Sequence, residues 1–552
     1  MRPGRPGWDY SGKKIGNNPM TRIATIDNVR LAAAAFLMAV IACQAAIGEE
    51  GERGIVPAEF GESTTTMWSP TLEWTLKNLS HDGNPFDLVA KVTFTHESGK
   101  ETRVTEMFYA GEDTWKFRFT GTRKGTWTFV TQADGKDGTT KDDDLHGRKG
   151  TITVKPNPDA NATGFLTSIG NKYAIQTADG ELQPVPGHIF RPWSDSGNDI
   201  GDHARPDQFY DIIDQVIDNA EENGFRRVFM NEMANGWFKL GAKGHNDHSR
   251  ENPDLETFEY LEKSINKLHD HGMALHIWAW GDNARHRRWT PVGLPGGING
   301  KVDRRLQRYI AARLGPLPGW TMNYGFDLQE WVTESQCRAW ADYMHDHMGW
   351  DHLLSARGRF GGDLDVNAYS KLKHGYDDAV SNLSKDTERP HVFEERDLYK
   401  RSGADMNWTR QHVWLYTMAG GHAGFFGSYW THGDKYPNPE VLRTHLTFWR
   451  ENNRLLADMS EANKLTDGYC LRTTDRANYV LYKQDTSSIE LDLSRMDGSQ
   501  PAVAVDTKKK YREIDIGPLR PGKLTWKAPY KSDWAVAVGA FPVRTADGES
   551  EK

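Results

Sequence analysis

The sequence predicts an α/β fold in which a (β/α)8 barrel, the TIM barrel architecture, is flanked by an N-terminal Ig-like β-sandwich and a C-terminal β-sandwich. Three stretches of the 552 residues carry this prediction. Residues 52–156 and 465–543 alternate apolar and polar positions with period two, as half-buried strands do. Residues 165–462 alternate strand-like apolar runs with amphipathic helix-like runs, and eight such strands match a barrel of this kind in count and length.

Residues 1–48 have the pattern of a leader. The apolar run Leu31–Ala42 follows Arg22 and Arg30 and is too short for a confident bilayer span, which favours a secretory signal. The sequence "VIAC", which ends at Cys43, resembles the lipobox of bacterial lipoproteins, where the cysteine is lipidated. We therefore expect an exported bacterial protein, either free in the periplasm or medium or held at the cell surface by a lipid on Cys43.

The N-terminal sandwich is predicted from "FDLVAKVTFTH", "TRVTEMFYAG", "TWKFRFTG" and "GTWTFVTQAD", which alternate with period two between polar turns. A Pro/Asn-rich linker, Lys155–Gly164, separates this block from the barrel. The block has few clusters of catalytic residue types, so a packing or spacing role is favoured over sugar binding.

The eight barrel strands are predicted in chain order. They are "GHIFRPW", "FRRVFMNEM", "MALHIWAWGD", "WTMNYGFDLQEW", "HLLSARG", "DVNAYSK", "RPHVFEER" and "HAGFFGSYW". A doubly wound open sheet is the alternative, and it is disfavoured because no strand is followed by a glycine-rich phosphate loop. After residue 463, short runs such as "NYVLYKQ", "SIELDLS" and "DWAVAVG" predict the second sandwich.

Composition excludes several classes of function. The net charge of −8 gives no case for nucleic-acid binding. The three cysteines form no CxxC or Cys/His cluster, and the residues at the predicted strand ends show no HxH or HExxH spacing, so neither a metal nor another cofactor is expected. The 20 Trp residues are compatible with a large core and also with sugar binding, since aromatic rings stack on sugar faces.

Carboxylates are the chemistry that the predicted strands deliver to the barrel mouth. Active sites of such barrels lie at the carboxyl ends of the strands. There Glu330 follows strand four, Glu394 and Glu395 follow strand seven, and Glu232 follows strand two. Two carboxylates that flank one bond are what glycoside hydrolysis requires. Adjacent strand residues point to opposite sides, so we expect only one of Glu394 and Glu395 to face the site.

Three short motifs resemble those of a known enzyme family. "FDLQEW", "RPHVFEERD" and "GGHAGFFGSYW" are similar to strands four, seven and eight of retaining (β/α)8 glycoside hydrolases, in particular of apiosidase-like members with an N-terminal domain of unknown function and a C-terminal sandwich. The resemblance implies that Glu330 is the general acid/base and Glu395 the nucleophile. Gln329 replaces the Asn usual in that family, whereas Asn231 and Glu232 form the usual pair on strand two.

Further residues at the strand ends are candidates for substrate binding. They are Asn231, Glu232, His276, Trp280, Asp282, Arg285, Arg288, Asp327, Arg357, Tyr369, Tyr429 and Trp430, with Trp430 implied by the resemblance to be a sugar platform. His276 is alternatively a core or orienting residue, and Trp280 a core residue. Five Arg and one His in "ARHRRW" and "ARGRFGG" indicate an anionic ligand or, alternatively, ordinary loop ion pairs.

We therefore expect a glycoside hydrolase that cleaves a complex polysaccharide or its oligosaccharides, with uronic or sulfated glycans as one substrate class. A polysaccharide lyase with a Tyr or His base is the alternative enzyme. A non-catalytic carbohydrate-binding surface protein is the alternative outside enzymes.

Overall fold

The computed structural model describes most of the chain after residue 58. The described residues are 59–134, 142, 144–186, 188–190, 206–211, 213–222, 229–233, 236–239, 246–281, 287–325, 327–360, 364–369, 375–393, 405–420, 424–425 and 438–542. All of them belong to one compact unit, Val56–Lys552. The leader and its Cys43 lie outside the described residues. In the described part no helix is both long and apolar enough to cross a bilayer.

The N-terminal block forms two sheets. Its strands are β1 (Glu59–Thr66), β2 (Leu72–Lys77), β3 (Ala90–His96), β4 (Thr102–Glu106), β5 (Phe108–Gly111), β6 (Thr114–Phe119), β7 (Gly125–Ala133) and β8 (Lys149–Lys155). The first sheet has the order β1-β8-β7-β3-β4 and the second the order β2-β6-β5. Trp127 and Ile152 of one sheet share a buried core with Trp74 and Phe117 of the other. The period-two pattern therefore places one face of each sheet in a common interior.

A small antiparallel sheet follows the sandwich. It consists of β9 (Leu166–Ile169), β10 (Lys172–Gln176) and β11 (Leu182–Pro184). Leu166 and Tyr173 of this sheet pack in one cluster with Trp278, Val366 and Val392 of the central sheet described next. The sequence did not predict these three strands, which fall inside the stretch assigned to the barrel.

The central element is an eight-stranded sheet whose described pairs are all parallel. Its strands are β12 (His188–Phe190), β13 (Phe229–Met233), β14 (Ala274–Trp280), β15 (Trp320–Gly325), β16 (Leu354–Ala356), β17 (Val366–Tyr369), β18 (His391–Phe393) and β19 (Gly424–Phe425). The order β18-β17-β16-β15-β14-β13-β12-β19 places the first strand beside the eighth. No pairing of β18 with β19 occurs among the described residues, so closure into a barrel stays a prediction.

Helices follow most strands of this sheet. They are α1 (Pro206–Asp211), α2 (Ile213–Glu222), α3 (Leu255–Asp270), α4 (Lys301–Leu314), α5 (Glu334–Met348), α6 (Tyr376–Lys385), α7 (Met406–Met418) and α8 (Glu440–Leu446), which continues as a π-helical turn, Thr447–Glu451. Leu275 and Ile277 of β14 pack in one core with Phe258, Leu261 and other apolar residues of these helices. Between β16 and β17 the described chain forms only the 3-10 turn Arg357–Arg359.

The C-terminal region is one antiparallel sheet of six strands where the sequence predicts a sandwich. Its strands are β20 (Ser460–Glu461), β21 (Tyr469–Arg472), β22 (Tyr479–Asp492), β23 (Ala502–Asp506), β24 (Glu513–Asp515) and β25 (Lys523–Val538), in the order β20-β21-β22-β25-β23-β24. Its two longest strands, β22 and β25, have register shifts between Lys483 and Ser488. Leu481 and Leu491, on either side of these shifts, belong to one buried cluster, so the sheet curls around a single core.

Candidate active site

The carboxyl ends of β13 to β18 lie at one edge of the parallel sheet, as parallel strands require. The predicted site residues belong to these strands or to the loops after them, except Tyr429 and Trp430, which follow β19 in the sequence. In open or closed α/β sheets this edge is where ligands bind. The candidate site therefore consists of side chains on these strands and on the loops that follow them.

A row of polar side chains, none of them a carboxylate, crosses three adjacent strands. His276 of β14 shares a 2.8 Å hydrogen bond between Nδ1 and the Oγ1 of Thr321 on β15. Asn323, two residues further along β15, donates from Nδ2 to the Oγ of Ser355 on β16 at 3.1 Å. All four side chains are buried. Because buried polar groups are costly without partners, these bonds fix the side chains in place and orient the His276 ring.

Glu330 lies on a short turn just beyond β15. It is the last residue of the 3-10 turn Leu328–Glu330, and its side chain is exposed. Leu328 and Trp331 on either side are buried, and the Trp331 ring packs on Tyr324 of β15 at 5.4 Å between centroids. The turn is thus anchored by apolar residues while Glu330 is presented to solvent.

Glycine is required where β15 meets this turn. Gly325 has φ of 155°, and a Cβ there would lie 2.8 Å from the carbonyl oxygen of Trp280 on β14. Its backbone N–H donates to Oδ1 of Asn323 at 2.7 Å. Asp327, which starts the turn, adopts the left-handed conformation with φ of 50°. The chain therefore leaves the strand along a path that few other residues could follow.

Asp327 contributes its backbone to the turn, since its carbonyl accepts the N–H of Glu330 at 2.9 Å. Its side chain is half-buried. Arg357 begins the 3-10 turn after β16, at the same edge. Both residues follow strands of the parallel sheet, as the sequence predicts, and their substrate-binding roles stay predictions.

Two other predicted binding residues have structural environments. Trp280 is 4% exposed and belongs to the main apolar core, which supports its alternative reading as a core residue. The Tyr369 ring stacks on His391 at 5.7 Å and packs against Phe393 at 6.1 Å, both on the neighbouring strand β18. These contacts position Tyr369 as a packing partner of β18.

The loops after β13 and β14 meet at Asn246. Its Oδ1 accepts the backbone N–H groups of Gly236 and Phe238, and its Nδ2 donates to the carbonyl of Arg288. Arg287 and Arg288 are exposed. Burial and the nearby guanidinium groups of Arg288 and Arg287 lower the pKa of His248 to about 4, so its imidazole is neutral at pH 7.

Several predicted residues cannot be placed. Asp282, Arg285, Glu394, Glu395, Tyr429 and Trp430 lie outside the described residues. For Asn231 and Glu232 the backbone register is described: Asn231 pairs with His276, and Glu232 with Ile277. Strand β18 ends at Phe393, directly before Glu394. The geometry between Glu330 and a second carboxylate is therefore untested.

Sequence reasoning missed four residues that link the strands and loops of the candidate site: Thr321, Asn323, Ser355 and Asn246. Polar residues inside the apolar strands "WTMNYG" and "HLLSARG" were a usable signal, because a buried Thr, Asn or Ser needs a partner. Asn246 had no signal, since its bonds to Gly236 and Phe238 depend on the loop conformation and its third partner, Arg288, lies on a different loop. In the part of the chain that is described, no group of three His, Cys, Asp or Glu side chains is placed to hold a metal ion.

Comparison with known proteins defines the class of fold. A family model described as domain of unknown function DUF5060 matches residues 64–134, within the N-terminal sandwich. A candidate glycoside hydrolase from Bacteroides vulgatus ATCC 8482 superposes with a TM-score of 0.63 at 17% identity, covering 86% of this chain and all of that one. A glycoside hydrolase family 5 protein from the same organism gives a TM-score of 0.50 at 12% identity, covering 70% of this chain and 95% of that one.

A further structure named only as a glycoside hydrolase gives a TM-score of 0.50 at 12% identity, covering 69% of this chain and 98% of that one. A search of curated protein sequences finds no match. The chain therefore has a mixed α/β fold of the glycoside hydrolase type. At these identities the likeness concerns the fold alone.

Proposed function

We propose that the protein is a glycoside hydrolase that cleaves a complex polysaccharide or its oligosaccharides. The observation that carries the proposal is the position of Glu330. It is an exposed carboxylate on an anchored turn, at the carboxyl edge of a parallel sheet, in a chain with a glycoside hydrolase fold. Glycosidic bond cleavage needs no cofactor beyond two carboxyl groups and water.

In this proposal Glu330 is the general acid/base and Glu395, just beyond β18, is the nucleophile; Glu394 is its alternative. Strands β15 and β18 end at the same edge of the sheet, separated by β16 and β17. Closure of the eight strands into a barrel would carry the two ends across a common mouth, as the order with β19 beside β12 suggests. Retention of anomeric configuration follows if the carboxyl groups are about 5–5.5 Å apart.

The row formed by His276, Thr321, Asn323 and Ser355 does not provide the general acid, but it lies on the strands that lead to Glu330. Its four side chains are buried and bonded in pairs, so they hold β14, β15 and β16 together without adding a further carboxylate. Glu232 remains a rival for the acid. Export through residues 1–48, with lipidation of Cys43 as one route, would place the enzyme where polysaccharides are found.

The test is release of reducing ends from neutral, uronic and sulfated polysaccharides by wild type, Glu330→Gln and Glu395→Gln. Loss of either carboxyl group should lower kcat by at least about 10²-fold. Glu334→Gln, four residues after Glu330 on the exposed start of α5, and Glu388→Gln, exposed before β18, are matched controls. Proton NMR of the first product shows whether configuration is retained.

Other outcomes separate the alternatives. Full activity of both variants would remove Glu330 and Glu395 from the mechanism and direct attention to Glu232. A product that absorbs in the ultraviolet as an unsaturated uronate does would indicate a lyase. Binding without turnover on every glycan would favour the non-catalytic surface protein.

A further inference from the structure

One buried side chain joins the loops that follow β13 and β14. Asn246 is 2% exposed. Its Oδ1 accepts the N–H of Gly236 at 3.0 Å and that of Phe238 at 3.4 Å, both in its own loop. Its Nδ2 donates to the carbonyl of Arg288 at 3.3 Å, in the next loop. One planar amide therefore holds three backbone groups on two different loops.

The segment around Gly236 is fixed independently to the sheet. The indole of Trp237 is fully buried and donates from Nε1 to the carbonyl of Ala279 on β14 at 2.7 Å. The carbonyl of Trp237 in turn accepts the N–H of Asp254, the residue that caps α3, at 2.9 Å. This segment is thus a fixed point against which Asn246 can hold the other loop.

The turn at residues 287–290 is held at two backbone positions. Thr290 is fully buried and donates from Oγ1 to the carbonyl of Arg287 at 3.0 Å. Asn246 holds the next carbonyl, that of Arg288. The side chains of Arg287 and Arg288 are exposed, while the peptide groups from which they project are fixed by buried partners.

Two guanidinium groups, those of Arg287 and Arg288, lie near His248 at this turn. Burial and both guanidinium groups lower the pKa of His248 to about 4, although Asp247 is also nearby. Burial thus leaves a neutral imidazole beside two cations. Carboxylate and sulfate oxygens are the groups that arginine side chains bind best.

We propose that Asn246 is a positioning residue of the candidate site. It fixes the 287–290 turn against the segment 236–238, so that Arg287 and Arg288 meet a carboxylate or sulfate of the glycan at one place. The proposal rests on the proposed function for the identity of the ligand, but the linkage between the two loops can be tested without it. Asparagine suits the position because one side chain must both accept and donate.

Hydrogen–deuterium exchange of the full-length protein tests the linkage. In Asn246→Ala, amides in 236–238 and in 287–290 should both exchange on the order of tenfold faster, since each segment loses a hydrogen bond. Asn246→Asp retains the acceptor, so chiefly 287–290 should change. Thr290→Val is the matched control and should affect 287–290 alone. Unchanged exchange in 287–290 of both Asn246 variants overturns the proposal.

Ligand binding tests what the turn is for. Asn246→Ala should raise KM about tenfold for a uronic or sulfated substrate, leaving kcat within about twofold and KM for a neutral glycan unchanged. A purely structural role would lower the melting temperature without this split. If wild type cleaves no glycan, retardation in gels that contain polygalacturonate or neutral galactan replaces KM. Equal retardation of wild type and Asn246→Ala in polygalacturonate also overturns the proposal.

Discussion

Two regions around the parallel sheet use polar groups in opposite ways. Where the N-terminal sandwich docks on α3 and α4, arginines and carboxylates are buried together. The buried side chains that link β14, β15 and β16 include no carboxylate, and Glu330 is exposed on a turn after the carboxyl end of β15. The first arrangement fixes one domain on another, whereas the second leaves a carboxylate open to solvent.

The docking surface contains a buried ion cluster. Arg118 of β6 forms two hydrogen bonds with Glu262 of α3, at 2.9 and 3.1 Å, and Arg313 of α4 also binds Glu262. Burial alone would raise the pKa of Glu262, but the two guanidinium groups hold it below its ordinary value. Arg305 of α4 binds Asp87 through two further bonds, at 2.6 and 2.8 Å. Such clusters give a defined geometry because any single loss leaves an unpaired buried charge.

The sandwich is joined to the helices around the parallel sheet by packing as well as by ion pairs. Trp350, in the loop after α5, belongs to the core of the sandwich, and its Nε1 donates to the carbonyl of Thr120 at 3.1 Å. The sandwich is therefore part of the same packed structure as the helices. It contacts α3, α4 and the loop after α5, and the packing or spacing role expected from the sequence stays a prediction.

The largest expected effect is on the docking surface. Glu262→Gln should lower the free energy of unfolding by about 3–5 kcal/mol, because Arg118 and Arg313 then lose their buried carboxylate. Denaturant unfolding monitored by tryptophan fluorescence measures this. Glu259→Gln on the same helix is the control, since Glu259 and Lys263 form an exposed pair worth less than about 1 kcal/mol. Similar losses in the two variants would remove the contrast between the regions.

A second effect concerns Asp303, which lies between the two regions. Asp303 is fully buried in α4, and its carboxylate accepts the N–H of Asn299 at 2.7 Å. Burial raises its pKa from 3.8 to about 6. The folded state therefore binds a proton more tightly than the unfolded state, and stability falls as the pH rises through the range from about 4 to 6.

Asp303→Asn should remove this dependence. The variant should match wild type near pH 4 and exceed it above pH 6 by on the order of 2–3 kcal/mol, which corresponds to a shift of about two pKa units. Unfolding by urea at a series of pH values measures the difference. Asp342→Asn on the exposed face of α5 is the control. A constant difference between Asp303→Asn and wild type across this pH range would contradict the assignment.

The sequence predicted individual helices and strands better than it predicted how the strands assemble into sheets. Period and length predicted the strands that became β14 and β15 and the helices α3 to α5, because the helices are amphipathic and the two strands are buried almost throughout. The strands β9 to β11 were missed because they are short and lie in a stretch already assigned to the barrel. The C-terminal sandwich was predicted from alternation, and alternation cannot distinguish two sheets from one sheet that curls at a register shift.

At the candidate site, strand position alone predicted Glu330, His276 and Arg357. Their roles stay predictions, and the structure places Glu330 and Arg357 on turns after β15 and β16 and His276 within β14. What the sequence could not supply was the set of contacts between strands and loops. Trp280 and Tyr369 have residue types suited to sugar binding, but packing against β15 and β18 decides their environment. Asn246 acts across two loops, so no local pattern reveals it.

The smallest expected effect concerns the buried side chains that link β15 and β16. Asn323 is fully buried, donates to Ser355 and accepts the N–H of Gly325, which begins the path to Glu330. Asn323→Ala should lower the free energy of unfolding by about 1–2 kcal/mol, because Gly325 and Ser355 each lose a neutral partner. Ser355→Ala removes the bond from Asn323 but leaves the Gly325 bond intact, and it should cost about half as much. A loss as large as that of Glu262→Gln would show that the site edge is as tightly coupled as the docking surface. If the row also positions the turn, Asn323→Ala lowers kcat on any substrate found, whereas Ser355→Ala, which leaves the Gly325 bond intact, changes it less.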